Sequence, residues 1–166
     1  MTDAVHLREM TEGDLPILFE QQRDPAAVHM AAFTSKDPND WPAFLAHWTT
    51  VLHDTTVIKR TIVVDGKVAG NVGSYLMFGE RAVGYGLGRD YWGRGIATAA
   101  LRAFLEIVTE RPLYARAIKD NVASLRVLEK CGFVITGEDR GYANGRGAEV
   151  EEYILTLRAS QDGARS

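Results

Sequence analysis

A short glycine and arginine segment, Trp92-Gly93-Arg94-Gly95, is the part of this sequence best suited to bind an anion. It lacks the Ser, Thr, Asp or Asn side chain that usually caps a helix, yet helical periodicity begins directly after it. The first N–H groups of a helix have no partner inside the helix, and the helix dipole favours negative charge there. Glycines allow a ligand to approach the backbone closely, and Arg94 adds a positive charge. The segment therefore predicts a phosphate or pyrophosphate site.

Two common phosphate-binding motifs do not fit this segment. The dinucleotide pattern G-x-G-x-x-G would need a third glycine at position 98, where the sequence has Thr98. The P-loop needs Lys followed by Ser or Thr, but Arg94-Gly95 stand at those positions. Without that hydroxyl there is no magnesium ligand, which argues against nucleotide hydrolysis.

The elements on either side of the segment are a strand and a helix. Before it, Val83, Tyr85 and Leu87 alternate with glycines, which predicts a strand with one bare face. Those glycines indicate either a strand that separates from its neighbour or a bulge. After it, apolar residues recur at the spacing of an amphipathic helix, at Ile96, Ala99, Ala100, Ala103, Phe104, Ile107 and Val108.

Two segments of the chain resemble a known family. Trp92 to Ala97 resembles the pyrophosphate loop of the GNAT N-acetyltransferases, Gln/Arg-x-x-Gly-x-Gly/Ala, with Trp92 in place of the usual Gln or Arg. That replacement is typical of the branch related to ribosomal-protein N-acetyltransferases. Residues 121–133 are similar to the family's Asn-x-x-Ser-x-Arg-x-Leu-Glu-Lys-x-Gly-Phe segment. The order, the spacing and the strand between the two segments fit, and the resemblance covers residues 4–158.

The resemblance implies an N-acetyltransferase that moves the acetyl group of acetyl-CoA directly to a primary amine through a tetrahedral intermediate. Acetyl-CoA would be the co-substrate, and no metal is implied; the four histidines also lack metal-ligand spacing. The backbone of Leu87 would meet the pantetheine and the acetyl carbonyl, and residues 93–98 would hold the pyrophosphate. The full set of implied coenzyme-binding residues is Gly86, Leu87, Gly88, Trp92, Gly93, Arg94, Gly95, Ile96, Ala97, Thr98, Asn121 and Ser124.

Three of these residues also have a purely structural interpretation. Asn121 would meet the pantetheine by resemblance, but it is equally suited to cap the following helix. Arg94 could instead be a solvated surface residue, and Trp92 a packing residue.

The catalytic acid and base do not carry over directly from the family. Some members have a Glu five residues before the Asn and a Tyr seven residues after it, where this chain has Arg116 and Leu128. Ser124 lies one helical turn after Asn121, and the related branch is thought to use a serine there. Ser124 is therefore the predicted acid for the departing thiolate; otherwise it is one more residue of the first turn. The base stays open between a water chain and His29, His47, His53, Asp54, Glu80 and Glu138.

The acceptor amine stays open between a small molecule and a protein N-terminus. An α-amine with a pKa of about 8 is partly neutral at pH 7, whereas a lysine is not, so a missing carboxylate base favours a low-pKa amine. Substrate choice is expected in residues 24–40 and 137–149, and neither segment is acidic enough for a polycationic aminoglycoside. The alternatives are a transferase for a longer acyl-CoA and a non-catalytic acyl-CoA-binding module.

Composition narrows the class of protein. The 166 residues predict one domain, residues 1–158, followed by a small, polar and disordered tail, residues 159–166. A net charge of −3 argues against a nucleic-acid surface. A single cysteine excludes an internal disulfide and fits a reducing cytoplasm. No membrane-spanning run or signal-peptide pattern is present, and the resemblance is compatible with a homodimer.

The predicted fold is α/β (α+β): the GNAT fold, with a mixed central sheet of about seven strands flanked by about four helices. The element order is β-α-α-β-β-β-α-β-α-β-β. Asp65-Gly66 predicts a two-residue hairpin turn. Asn121 and Gly132 would begin and end one helix. Residues 137–149 are Gly-rich and polar, and are expected to link two strands rather than to pair.

Overall fold

The computed structural model describes residues 4–159. Residues 1–3 and, in the predicted tail, residues 160–166 lie outside that range. The strands are β1 (Val5–Glu9), β2 (Ile58–Val64), β3 (Lys67–Met77), β4 (Glu80–Leu87), β5 (Leu113–Ile118), β6 (Val134–Ala143) and β7 (Ala148–Leu157). The α-helices are α1 (Leu15–Gln22), α2 (Pro25–Ala31), α3 (Trp41–His53), α4 (Ile96–Ile107) and α5 (Val122–Lys130).

The strands form one mixed sheet in the order β1-β2-β3-β4-β5-β7-β6. Its neighbours are antiparallel except β4 and β5, which are parallel. The predicted fold class and number of strands are confirmed. The described residues contain five α-helices, against about four predicted. The sequence of residues 26–40 had indicated a short helix and a loop, and α2 forms there because Asp24 caps it through Ala26 N–H and Pro25 occupies its first turn.

The main core lies between the sheet and the helices α4 and α5. Four members of the stripe predicted on α4 are buried there, Ile96, Ala100, Phe104 and Val108, together with Leu101, which was not predicted. The other three, Ala99, Ala103 and Ile107, are exposed. Burying each large side chain contributes roughly 1.5–3 kcal/mol, so this face fixes α4 against the sheet. On the opposite face, a smaller cluster packs α1 and α3 against the end of β3 through Leu15, Leu18, Trp41, Phe44 and Val68.

Two tight turns join the central strands. Asp65 and Gly66 have φ values of 51° and 80°, the pair of positive values that a type I′ hairpin turn needs, so the predicted hairpin is confirmed. Phe78 and Gly79 repeat this pattern between β3 and β4, with φ values of 52° and 78°.

Residues 137–149 are a β-hairpin, and the expectation of an unpaired polar segment was wrong. β6 continues to Ala143 and β7 begins at Ala148, with pairing along almost their full length. β6 is the last strand of the sheet, so its ladder hydrogen bonds come from one neighbour while its side chains stay largely exposed. An edge strand tolerates charged residues on both faces, which explains why the sequence resembled a loop.

A buried carboxylate, Asp14, joins α1 to the sheet. It receives two hydrogen bonds from Arg8, at 2.8 and 2.9 Å, one from Thr61 Oγ1 at 2.7 Å and one from Thr11 N–H at 3.0 Å. Burial opposes ionisation of this carboxyl, but these hydrogen bonds outweigh burial and lower the pKa from 3.8 to about 2. The folded state therefore favours the ionised form more than the unfolded chain does.

We expect Asp14 to make the free energy of unfolding depend on pH in the acid range. Because its folded pKa is lowered, its contribution is fully present above pH 3.8 and is lost as the pH falls toward 2. The loss should be about 2 kcal/mol in the free energy of unfolding, measured by urea denaturation across that range. Asp14→Asn should remove this pH dependence, whereas exposed Glu12→Gln should keep it. An unchanged acid slope in Asp14→Asn would contradict the assignment.

Candidate active site

The centre of the sheet is open between β4 and β5. Among the described residues, a single pair, Ala82 and Tyr114, joins these two strands. On its other side β4 stays in unshifted register with β3 up to Leu87 opposite Gly70. The glycines of β4 therefore lie in a strand that separates from its neighbour, and no bulge interrupts its pairing with β3.

Main-chain groups of β4 face this opening. Gly88 N–H donates to the Ala69 carbonyl at 2.9 Å. In an antiparallel ladder, residues that exchange hydrogen bonds alternate with residues whose groups point away. Gly86 therefore faces β3, whereas the N–H and C=O of Tyr85 and Leu87 point into the opening. An extended ligand can add to such a row as an extra strand.

Gly86 and Gly88 have different surroundings. A Cβ on Gly86 would have Asn71 Oδ1 as its nearest neighbour, 3.9 Å away, which is an ordinary van der Waals contact. A Cβ on Gly88 would lie 2.9 Å from Nε2 of Gln21, which itself donates to the Val68 carbonyl. Gly88 thus allows α1 to approach β4 closely.

The glycine loop leaves the start of α4 uncapped. Gly95 is the N-cap residue with a left-handed φ of 77°, and no side chain of residues 4–159 caps the helix. Gly93 has a φ of 71°, and within the described part of the chain a Cβ on either glycine would meet nothing within 4 Å. Ile96 is buried and anchors the helix, while Ala97 and Thr98 complete its first turn. The first amides of α4 are thus accessible beside the opening.

Trp92 and Arg94 hold the loop in shape. Trp92 Nε1 donates to the Leu87 carbonyl at 3.0 Å, which joins the loop back to β4. Arg94 donates to the Asp90 carbonyl at 3.1 Å and stacks over Tyr91, 5.5 Å from the ring centre. Both side chains therefore have structural contacts, and their role toward a coenzyme stays a prediction.

Asn121 is confirmed as the N-cap of α5. Its Oδ1 accepts from Ser124 N–H at 3.2 Å, and its Nδ2 donates to the Met30 carbonyl at 3.3 Å. Both ends of the amide therefore have partners, and a ligand would have to replace one of them. A coenzyme contact by this side chain stays a prediction.

Ser124 has a partner that sequence reasoning missed. Tyr85 Oη donates to Ser124 Oγ at 3.3 Å. Burial raises the pKa of the Tyr85 phenol, so this phenol stays protonated at neutral pH. Because Tyr85 fills an acceptor position on Ser124, the serine hydroxyl hydrogen is available to another group. The one available signal was a tyrosine among the glycines of β4.

A charged cluster on three strands was also not predicted. Arg116 Nη1 donates to Glu152 Oε1 at 2.6 Å and to Asp139 Oδ2 at 2.9 Å. Glu152 is 8% exposed, although a carboxylate is rarely so buried without a partner. Arg116, at the position where some family members have a glutamate, is thus flanked by two carboxylates from β6 and β7.

The structure gives three of the candidate bases local partners. His53 Nδ1 lies 2.8 Å from the Thr49 carbonyl oxygen. Glu138 forms an ion pair with Lys119. Asp54 accepts two hydrogen bonds from Thr56, at 2.6 and 2.9 Å.

The two segments expected to choose the substrate touch each other. Asn144 Nδ2 donates to the Thr34 carbonyl at 2.9 Å, and Gly145 N–H donates to the Ala32 carbonyl at 2.8 Å. Arg146 Nε donates to the main-chain carbonyl of residue 29 at 2.7 Å. Residues 24–40 and 137–149 therefore form one continuous surface.

Residues 4–159 also bear on metal binding and on membrane spanning. No group of three or more His, Cys, Asp or Glu side chains in this range is placed to hold a metal ion. The helices of the same range are all too short or too polar to cross a membrane.

Comparisons with known proteins agree with this geometry. A family model described as an acetyltransferase (GNAT) domain matches residues 4–134. The Bacillus licheniformis protein named "Uncharacterized N-acetyltransferase p20" is 26% identical over 167 residues, covering 94% of this chain and 93% of its own.

Two solved structures share the fold but differ in the acceptor that their descriptions name. AAC(6')-Ib, in complex with ribostamycin and coenzyme A, superposes with a TM-score of 0.75 at 21% identity, covering 99% of this chain and 98% of its own. The ribosomal-protein-S5-alanine acetyltransferase from Vibrio fischeri gives a TM-score of 0.74 at 21% identity, covering 95% and 94%. The fold alone therefore does not choose the acceptor.

Proposed function

The chain belongs to the GNAT acetyltransferase family, and from this premise we propose that it transfers the acetyl group of acetyl-CoA directly to a primary amine. The observation that carries the proposal is the continuity of the β4–β5 opening with the uncapped start of α4. The amine nitrogen attacks the thioester carbonyl carbon, the carbon–sulfur bond breaks, and the nitrogen loses one proton while the sulfur gains one. No covalent enzyme intermediate is needed, because a thioester is already activated.

The coenzyme would lie along the opening. The N–H and C=O of Tyr85 and the N–H of Leu87 would bind the pantetheine as an added strand, with Gly86 between the two residues and Gly88 after them. The Leu87 carbonyl already accepts from Trp92 Nε1. The amides of residues 93–98 would hold the diphosphate, where the helix dipole and Arg94 favour negative charge. The free space above Gly93 and Gly95 supports this placement, because phosphate oxygens can approach the backbone there.

Ser124 would give the proton to the departing thiolate. Its hydroxyl lies on the α5 side of the sheet, and the hydrogen bond from Tyr85 orients it. The amine nitrogen would lose its proton to a water chain, and Ser124, after giving its proton to the sulfur, would recover one from water. Tyr85 is therefore a positioning residue, and Ser124 the catalytic residue.

The proposal also includes the extent of the catalytic domain and its cellular compartment. Residues 1–158 would act as one catalytic domain in the reducing cytoplasm, where Cys131 stays a thiol. Burial raises the pKa of the Cys131 thiol, which keeps this thiol protonated and a poor nucleophile.

The test is the release of free thiol from acyl-CoAs in the presence of a panel of primary amines, with CoA binding measured separately by calorimetry. We expect release that depends on the amine and is fastest with acetyl-CoA. CoA binding without thiol release on any amine would instead favour a non-catalytic module. Faster release from a longer acyl-CoA would reassign the acyl group and keep the reaction.

A further inference from the structure

We infer that the acceptor is a singly charged aromatic amine, held by Tyr75 and Glu152 on the face of the sheet opposite α4. This inference rests on the proposed function and assigns the substrate class of that same site.

Tyr75 lies at the opening, on the face away from α4. Tyr75 is paired with Ala82, and Gly73 with Gly84, and directly paired residues of an antiparallel ladder share a face. Val83 and Tyr85 point to the other face, toward the core that contains α4. The Tyr75 hydroxyl reaches β4, since a Cβ on Gly84 would lie 3.4 Å from it.

The Tyr75 hydroxyl is poised for a ligand. No hydrogen bond to it is formed by any of residues 4–159. Burial raises the pKa of this phenol, so it stays neutral and can accept a hydrogen bond from an amine. The amine would thus approach from this face, while Ser124 serves the sulfur from the other.

The charge beside Tyr75 suits one ammonium group. Asp139 and Glu152 are paired across β6 and β7 and share Arg116, so two carboxylates meet one guanidinium. The cluster therefore keeps one negative charge. Arg116 lines the same cavity as Tyr75 and Phe78, which places the cluster beside the phenol. One ammonium balances this cluster. A second cation would have no counter-charge, and a carboxylate on the acceptor would meet two others.

Aromatic rings flank the cluster on two sides. Phe78 is 83% exposed, and its ring lies 5.4 Å from the Arg116 guanidinium. Phe33 is 44% exposed and lies against Gly141, two residues along β6 from Asp139 and on the same face. Exposed aromatic rings beside this charged cluster can stack on an aromatic ring of the acceptor and bury its apolar area.

The acceptor class is tested by thiol release from acetyl-CoA with four probes: phenethylamine, phenylalanine, spermidine and a short peptide with a free N-terminus. We expect kcat/KM for phenethylamine to exceed each of the others by about tenfold or more. Preference for any other probe would overturn this inference and leave acetyl transfer intact. A lack of release with all four, despite CoA binding, would overturn both.

Glu152→Gln tests the proposed binding site of the acceptor amine. It should raise KM for phenethylamine about tenfold and leave the Kd of CoA unchanged, because it removes the counter-charge of the ammonium. The matched control is Glu151→Gln, which changes the net charge equally but is the preceding residue of β7, on the opposite face beside Lys119. A KM no higher than that of Glu151→Gln would overturn the assignment.

Two more variants keep the test independent of folding defects. Tyr75→Phe retains the ring and removes the hydroxyl, and it should raise KM for phenethylamine severalfold with CoA binding intact. Phe78→Gly also relieves the left-handed backbone at that residue, so it should not destabilise the turn. It should lower the ratio of kcat/KM for phenethylamine over ethylamine about tenfold. An unchanged ratio in Phe78→Gly, together with an unchanged KM in Tyr75→Phe, would place the acceptor elsewhere.

Discussion

Gly95→Val is expected to weaken CoA binding by about a hundredfold, the largest change in affinity that we foresee. A valine side chain would project into the free space where the diphosphate is proposed to lie. Loss of two charge-assisted hydrogen bonds, each contributing roughly 1.5 kcal/mol, corresponds to that factor. Calorimetric titration with CoA measures it directly.

The control for Gly95→Val is Gly66→Val. Gly66 has a φ of 80°, and among the described residues it too has no neighbour within 4 Å of a built Cβ, but it lies in the β2–β3 turn. Both variants should lose about 1–2 kcal/mol of stability, because a β-branched residue is strained in the left-handed region. CoA affinity should fall in Gly95→Val alone. Wild-type affinity in Gly95→Val would place the diphosphate elsewhere.

Ser124→Ala should lower kcat about a hundredfold while the Kd of CoA stays constant. General acid catalysis typically contributes a factor of this order or more. The α5 cap survives the change, because Asn121 binds the backbone N–H of residue 124 and not the hydroxyl. Single-turnover thiol release separates chemistry from product release.

Two further variants complete the serine test. Ser74→Ala is the matched control, since Ser74 Oγ is buried without a hydrogen-bond partner among the described residues, and its removal should leave kcat unchanged. Tyr85→Phe should lower kcat about tenfold by releasing the Ser124 hydroxyl. Adding Tyr85→Phe to Ser124→Ala should then have no further effect, because the two side chains act as one unit. Wild-type turnover in Ser124→Ala would remove Ser124 from the mechanism.

Sequence alone was sufficient where neighbouring residues determine the structure. The uncapped start of α4, the Asp65-Gly66 turn and the Asn121 cap each depend on a few consecutive side chains and their φ preferences. The separation of β4 from a neighbour was one of two alternatives that the sequence left open, because alternating glycines mark either a bulge or a strand that a ligand can approach.

The acceptor side depended on contacts that the sequence does not display. Arg116 meets Asp139 and Glu152 across 23 and 36 residues, and Tyr85 meets Ser124 across 39. These contacts depend on the order of the strands in the sheet, and local periodicity of the sequence does not reveal that order. Position 116 was considered only as a missing glutamate. The two carboxylates that bind Arg116 come from β6, whose sequence resembled a loop, and from β7.

The single residue pair between β4 and β5 also has a mechanical consequence. It divides the sheet into a four-strand and a three-strand half that share few main-chain bonds. A bound coenzyme would link the two halves through its own hydrogen bonds. Coenzyme binding would therefore make the whole sheet more rigid and slow amide hydrogen exchange far from the reacting atoms. Dissociation of free CoA would then require the two halves to move apart, and this motion would limit the rate of turnover.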